Sequence, residues 1–396
     1  MTNTVEPTAP AATERWAGVV ERVHSVGDTL AAGVAEGDLE RRLPDATLRA
    51  IDEERLAALW TERRYGGLET DVRTLSEVTK ALARYCPSTS WVVNNINGSN
   101  LLATRFPRRV RDEVFGDNPG ARLASIFAAP GAATPVDGGY QLSGKWPYAS
   151  GILHDDWAIL LAKDPGGAPL SVLAPVADLV VQDTWNTVGM RGTGSHTATA
   201  TDVFVPGHRV ISFADQLGRA NTTDLSLPPL LRTAAVAGMA VICASVVVGA
   251  GLAARAHVVD KAPAKGIAPT VYSSAPMSQT FVSALGGTAL TLDAAEMHVS
   301  RAADVLDAAA AAGVGVPDAE LRRIRGDVGQ AVNLVTTALD ELMWAHGAGA
   351  FGLSSPLQQY WRDANTAARH AMLNTRVGHE LYGGAFFGLD SIVPSL

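Results

Sequence analysis

Cysteine is scarce in this 396-residue chain, with only Cys86 and Cys243. Two thiols so far apart in sequence give neither a disulfide framework nor a thiolate metal cluster, and they fit a reducing cytoplasm. Charge is also sparse, at 18% of residues, with 32 basic against 40 acidic side chains and no Lys/Arg block. That balance excludes a nucleic-acid surface. The N-terminus lacks a basic segment followed by an apolar run, so no secretory signal is expected, and residues 1–13 read as a disordered tail. His-Glu-x-x-His, Gly-x-Ser-x-Gly and phosphate-loop patterns are missing, which removes metalloprotease, serine hydrolase and kinase readings. No paired histidine spacing suggests a metal site.

What remains is apolar: 47% hydrophobic residues in a chain longer than one core usually supports. From Thr233 to Ala254 there is no charge, and Arg232 and Arg255 flank the run. Its length would span a bilayer. Its Ala, Gly, Ser and Val content equally suits a helix at the centre of a soluble bundle, which is the expectation adopted.

Texture divides the chain into three parts. Residues 14–118 carry helical periodicity, as in Leu48, Ile51, Leu56 and Leu59 after Pro44-Asp45. Residues 119–225 hold short β-rich runs such as Trp157 to Ala162 and Ala200 to Val205. Turns like Asp137-Gly138-Gly139 separate them, predicting antiparallel strands. Residues 226–396 are helical again, with four long segments, Leu230 to Asp260, Pro276 to Ala312, Asp318 to His346 and Pro356 to Leu381, enough for a bundle.

Two glycine patterns mimic dinucleotide fingerprints and fail on context. Gly249-Ala250-Gly251-Leu252-Ala253-Ala254 follows a run too long for a strand. Gly347-Ala348-Gly349-Ala350-Phe351-Gly352 follows a helix and opens none. Two other stretches carry chemistry. Trp146-Pro147-Tyr148-Ala149-Ser150-Gly151 offers aromatics beside a hydroxyl, and strand alternation would put Tyr148 and Ser150 on one side. Arg191-Gly192-Thr193-Gly194-Ser195 is a glycine turn with hydroxyls and a cation.

These motifs, with Arg64 to Leu68, Asp202 to Pro206, Arg362-Asp363 and His370, make the chain from about Pro44 onward resemble the acyl-CoA dehydrogenase superfamily. Within it, the likeness is strongest to the oxygenase components of two-component flavin-dependent monooxygenases that hydroxylate aromatics. The resemblance implies a mainly α fold with a central antiparallel β-domain and a C-terminal four-helix bundle. It implies reduced flavin (FMNH2 or FADH2) from a separate reductase, O2 captured as a C4a-hydroperoxyflavin, a small-molecule substrate and a homotetramer. Trp146, Tyr148, Ser150, Arg191, Thr193, Ser195 and Phe351 would contact the cofactor.

The dehydrogenase base is missing: Asn365-Thr366-Ala367-Ala368-Arg369 follows Arg362-Asp363-Ala364 where a catalytic Glu would be expected. His370, on the helical face of Arg362 and Thr366, is the expected base or peroxide partner. Ser150 would bind the flavin N5 and O4 edge. Where related hydroxylases have a His near Ser99, this chain has Asn94, Asn95, Asn97 and Asn100, so Ser99 and Asn97 are the candidates on that helix. That departure weakens a simple phenol as substrate. Lys261 and Lys265 stand where the dehydrogenases hold a pyrophosphate with Arg, which leaves FMN and FAD open. An acyl-CoA dehydrogenase, an amine or amino-sugar N-oxygenase, or a silent flavin-like subunit remain alternatives.

Overall fold

The computed structural model describes residues 13–393, so the expected tail lies outside the described residues apart from Thr13. Helices α1 (Thr13–Ser25), α2 (Gly27–Ala32), α3 (Val34–Glu40), α4 (Asp45–Glu53), α5 (Val72–Tyr85), α6 (Pro87–Ala103) and α7 (Arg108–Phe115) come first. Asp71 caps α5 by accepting from the Thr74 N–H at 2.7 Å, and Pro87 opens α6, where a missing N–H costs nothing.

Strands β1 (Leu123–Val136), β2 (Gly139–Ala149), β3 (Trp157–Lys163), β4 (Pro169–Pro175), β5 (Val180–Gln182), β6 (His196–Pro206) and β7 (Val210–Ser212) form one seven-stranded sheet ordered β5-β6-β2-β1-β3-β4-β7. The expectation of an all-antiparallel domain needs one correction: β1 and β3 pair parallel. Because β2 runs back beside β1, it ends near the start of β1. The short 150–156 segment then passes to the other side of β1 and launches β3 in the same direction. That crossing carries the residues of the site.

Short helices α8 (Phe213–Leu217) and α9 (Pro229–Arg232) lead to α10 (Ala235–Lys261), α11 (Gln279–Ala312), α12 (Asp318–His346), α13 (Pro356–Ala367) and α14 (Thr375–Ala385). The uncharged run is the core of α10. It passes a length and composition test for a membrane span with a mean hydropathy of 2.3, and 83% of that window is buried inside the protein. Gly249 and Gly251 of the rejected fingerprint are contact glycines. A Cβ at Gly249 would stand 2.5 Å from the Lys80 carbonyl of α5, and one at Gly251 would stand 2.8 Å from Val335 of α12.

The first and last helices share one hydrophobic core through α10, with Val78, Leu82, Val93, Val247, Leu292 and Val335 in a single cluster. Along β3, Ile159 joins that core while Leu160 turns to a second cluster with Ile126, Leu142, Val172 and Trp146, the pleat dividing them residue by residue. The last predicted helix is two. It breaks after Ala367 because Asn374 caps a new helix, accepting from the Arg376 and Val377 N–H groups at 3.1 and 3.2 Å.

Candidate active site

Strand β2 does not reach Ser150 by simple alternation. Trp146 pairs with Ala198 and Ala149 with His196, so one extra residue is spent on β2. The bulge falls at Pro147-Tyr148, where Pro147 has no N–H to offer and Tyr148 takes a left-handed φ of 64°. Tyr148 is thrown outward, 65% exposed, with Trp185 edge-on at 6.2 Å between ring centroids. Ser150 sits in the turn beyond the strand. Gly151, at φ 83°, continues it, and a Cβ there would lie 3.0 Å from the Asp155 carboxylate.

Three hydroxyls meet in this turn. Ser150 Oγ lies 2.7 Å from Ser195 Oγ, which lies 2.7 Å from Thr193 Oγ1, which donates to the Met190 carbonyl at 2.8 Å. From the other side, the Trp91 indole N–H of α6 donates to Ser150 Oγ at 3.2 Å. The face of that indole meets the His370 ring edge to face, 5.4 Å between centroids. Ser150 and His370 therefore flank one tryptophan, although 220 positions separate them in the chain.

The Arg362-Asp363 pair is the latch for this arrangement. Asp363, fully buried, accepts from the Met190 N–H at 2.5 Å. Arg362 donates to the Val188 carbonyl at 3.2 Å and pairs with Asp38 at 2.9 Å. At Gly189 a Cβ would stand 2.3 Å from the Arg362 carbonyl, so only glycine lets the turn dock on α13.

His370 lies in the break between α13 and α14, not on a continuous helical face with Arg362 and Thr366. Its ring opens to solvent on one side while protein crowds the others. That crowding, followed by the positive charge of Arg325, lowers its pKa to about 4. Its Nδ1 accepts from the Met372 N–H at 3.3 Å, and the Met372 carbonyl accepts from Arg325. An imidazole that is neutral and accepts at Nδ1 carries its proton on Nε2. It is a donor there. Of the two expected roles, this arrangement favours a hydrogen bond to an oxygen.

Other expectations are corrected. Trp146 is fully buried in the sheet core, its indole N–H donating to the Leu161 carbonyl at 2.8 Å, so it touches no ligand site. Arg191 spends its guanidinium on the Asp38 carbonyl, the Thr187 carbonyl and Asn186. It shapes the turn. Asn97 is fully buried, accepting from the Trp60 N–H at 2.9 Å and donating to the Leu56 and Val93 carbonyls at 2.8 Å. Ser99 is buried against Ser125 of β1, 2.9 Å between hydroxyls. Phe351, 61% exposed, precedes α13 whereas His370 follows it, and twelve helical residues at ~1.5 Å each keep them apart. Lys265 donates to the His346 carbonyl, beside His257, whose ring lies 5.7 Å from that of His346. This sets one cation and two imidazoles, whose pKa values burial lowers, next to the Gly347 turn.

Sequence reasoning missed Trp91, Trp185 and Asp155. A helical wheel finds the first: 91, 95 and 99 share a face, and 97 points away. A cavity of about 360 Å³ lies elsewhere, lined by Arg63, Asp307 and Pro228 among others, far from this chemistry.

An outward aromatic wall, a hydroxyl with a free lone pair at its edge and a neutral imidazole donor suit a flat, largely apolar ring with a polar edge. On fold and site the chain is thus a flavoprotein of the acyl-CoA dehydrogenase type. A family described as "Acyl-CoA dehydrogenase, C-terminal domain" matches residues 241–375. The flavin-dependent monooxygenase oxygenase subunit HsaA of Mycobacterium tuberculosis is 32% identical over 88% of this chain and 90% of its own. The oxygenase component of an FADH2-dependent resorcinol hydroxylase from Rhizobium is 30% identical over 96% and 97%. Among solved structures, XiaF from Streptomyces in complex with FADH2 and glycerol superposes with a TM-score of 0.95 at 68% identity, over 97% of this chain and 98% of that one. The chain belongs to the oxygenase components of flavin-dependent monooxygenases.

Proposed function

We propose that this oxygenase takes reduced FAD from a separate reductase and, with O2, hydroxylates a neutral, electron-rich aromatic molecule. The observation that carries it is the convergence of Ser150, Trp91 and His370 beside outward Tyr148. FAD is favoured over FMN by the FADH2-bound relative of 68% identity and by the FADH2-dependent hydroxylase. The Lys265 ammonium offers positive charge to a diphosphate, and burial beside cations holds His257 and His346 below the usual histidine range, as neutral hydrogen-bonding groups.

When bound, the reduced flavin supplies the two electrons that activate O2, one oxygen atom entering the substrate and the other leaving as water. Tyr148 and Trp185 would wall the ring, Ser150 would meet its N5 edge, and His370 Nε2–H would donate to a developing negative oxygen. With His370 neutral and accepting at Nδ1, its Nε2–H is a donor. A substrate that is nucleophilic in its neutral form suits such a donor. Half-accessible Asn95 on α6, its amide already donating to the Trp91 carbonyl, leaves its Oδ1 to accept from a substrate N–H or O–H.

The reading includes a homotetramer in the cytoplasm. Exposed Tyr148, Trp344, Leu353 and Phe387 are large apolar groups suited to cover by other copies.

The test is anaerobic loading with reduced FAD, followed by rapid mixing with oxygenated buffer and a panel of aromatic compounds. Expected are flavin reoxidation in resolved phases and incorporation of one atom of labelled O2 into at least one compound. Single-phase reoxidation with all O2 recovered as H2O2, for every compound, would overturn the proposal.

A further inference from the structure

Hydrogen-bond bookkeeping through the hydroxyl turn fixes which way every proton points. The Met190 carbonyl can only accept, so the 2.8 Å contact with Thr193 Oγ1 holds the single Thr193 hydroxyl proton. Thr193 must then accept across its 2.7 Å contact with Ser195, which commits the Ser195 proton. Ser195 must in turn accept from Ser150 at 2.7 Å, which commits the Ser150 proton. At the other end, Trp91 Nε1 can only donate, and it fills one Ser150 lone pair. The Met190 carbonyl also accepts the Trp185 indole N–H at 2.9 Å and the Thr193 backbone N–H at 3.2 Å, and the Thr193 hydroxyl contact, the shortest of the three, is still only possible as a donation to it.

Ser150 Oγ is left with one free lone pair and no free proton. We infer that Trp91, Ser195 and Thr193 act as positioning residues that make Ser150 a pure acceptor, and that this relay is the source of the preference for reduced over oxidised flavin that an oxygenase of this family requires. A dihydroflavin carries N5–H and can donate to that lone pair; oxidised flavin presents a bare N5 lone pair, which meets another lone pair. The inference rests on the proposed contact between Ser150 and the flavin edge. Its consequence is that product flavin is released once oxidised, without any moving part. Leaving a partly buried acceptor pair facing each other costs ~1–3 kcal/mol, so the preference for reduced flavin from this contact is about ten- to a hundredfold.

The experiment measures dissociation constants of reduced FAD, under anaerobic conditions, and of oxidised FAD, for the full chain and for variants. Thr193→Val keeps the shape and removes the acceptor that orients Ser195, while Thr193→Ser restores a hydroxyl. Ser195→Ala frees the Ser150 proton directly. The parent should bind reduced FAD more tightly. Ser195→Ala and Thr193→Val should each shrink the ratio by about tenfold, chiefly by improving oxidised FAD, and Thr193→Ser should return it toward the parent. Unchanged ratios in Ser195→Ala and Thr193→Val, with Ser150→Ala altering flavin affinity, would overturn the relay and leave the flavin site standing. If Ser150→Ala alters neither affinity, or if no flavin binds, the site reading itself fails and this inference with it. Circular dichroism of each variant separates a misfolded protein from one whose ratio is unchanged, and the Thr193→Ser and Thr193→Val pair decides the matter if Ser195→Ala does not fold.

Discussion

Two faces of helix α6 carry similar polar side chains and do different work. On one, Asn97 and Asn100 turn to the 56–61 segment, where each amide N–H finds a carbonyl or hydroxyl. On the other, Trp91 and Asn95 turn to the sheet and the His370 break, with Val92 packed against Gly151 next to Asp155. The first face spends its amide N–H groups within the protein and leaves only Asn100 Oδ1 without a partner; the second leaves a Ser150 lone pair and the Asp155 carboxyl uncommitted. Residue type does not distinguish them, since both are rich in amides. The partner across the interface does: a loop that needs tying down on one side, a turn that needs orienting on the other.

The largest expected effect comes from the uncommitted side. Asp155 is fully enclosed, neither carboxylate oxygen has a hydrogen-bond partner among the described residues, and burial raises its pKa from 3.8 to about 8. The folded protein therefore holds a proton at Asp155 that the unfolded chain releases between those two values. Its contribution is complete below about pH 4 and is lost as pH climbs toward 8, at about 1.4 kcal/mol per pH unit. Asp155→Asn has no proton to lose, so its melting temperature should pull ahead of the parent's between pH 5 and pH 8. Parallel melting curves across that range would remove Asp155 from the uncommitted side of the comparison.

Next in size is the closed face. Asn97→Ala strands the Trp60 N–H and the Leu56 carbonyl inside the core, a loss of about 2–5 kcal/mol in denaturant unfolding. The ratio of reduced to oxidised flavin affinity in the folded fraction should stay at the parent value. A changed ratio would mean that the two faces are not separable.

Asp363→Ala tests whether the latch serves both. Losing its bond to the Met190 N–H should cost about 1–3 kcal/mol and also loosen flavin binding several-fold, because Thr193 hangs from the same residue. Stability loss with flavin affinity intact would show that the latch fastens α13 to the turn without shaping the site.

Much of this architecture was legible in the chain. The strand-rich middle, the helical flanks and the buried α10 follow from periodicity and from glycines that permit close contact. Ser150 and His370 became candidates because they match positions of the family that the chain resembles. What escaped reading depends on packing across the chain. Nothing near Trp146 distinguishes a core tryptophan from a ligand wall; only Gly131 and Gly144, pressed against its ring, decide it. The bulge at Tyr148 overturned alternation because Pro147 cannot join the ladder. No Gly or Pro marks the helix break before His370, since Asn374 makes it by capping the next helix. Arg191 looked like an anion site because its carbonyl partners, Asp38 and Thr187, are distant or generic in sequence.

The smallest effect is also the sharpest test of the open face. Trp91→Phe keeps an aromatic plane against His370 and deletes only the N–H that fills one Ser150 lone pair. Stability should change by about 1 kcal/mol or less, as expected for one partly exposed hydrogen bond. Ser150 would gain a second free lone pair yet keep its proton on Ser195, so reduced flavin should still bind more tightly than oxidised, with the ratio altered no more than about threefold. Ser195→Ala, at the other direct partner of Ser150, should collapse that ratio instead. The order of these two effects is set by proton direction, since both side chains touch Ser150 directly and proximity alone does not separate them. Differential binding of the two redox states to Trp91→Phe and Ser195→Ala measures which rule the site obeys.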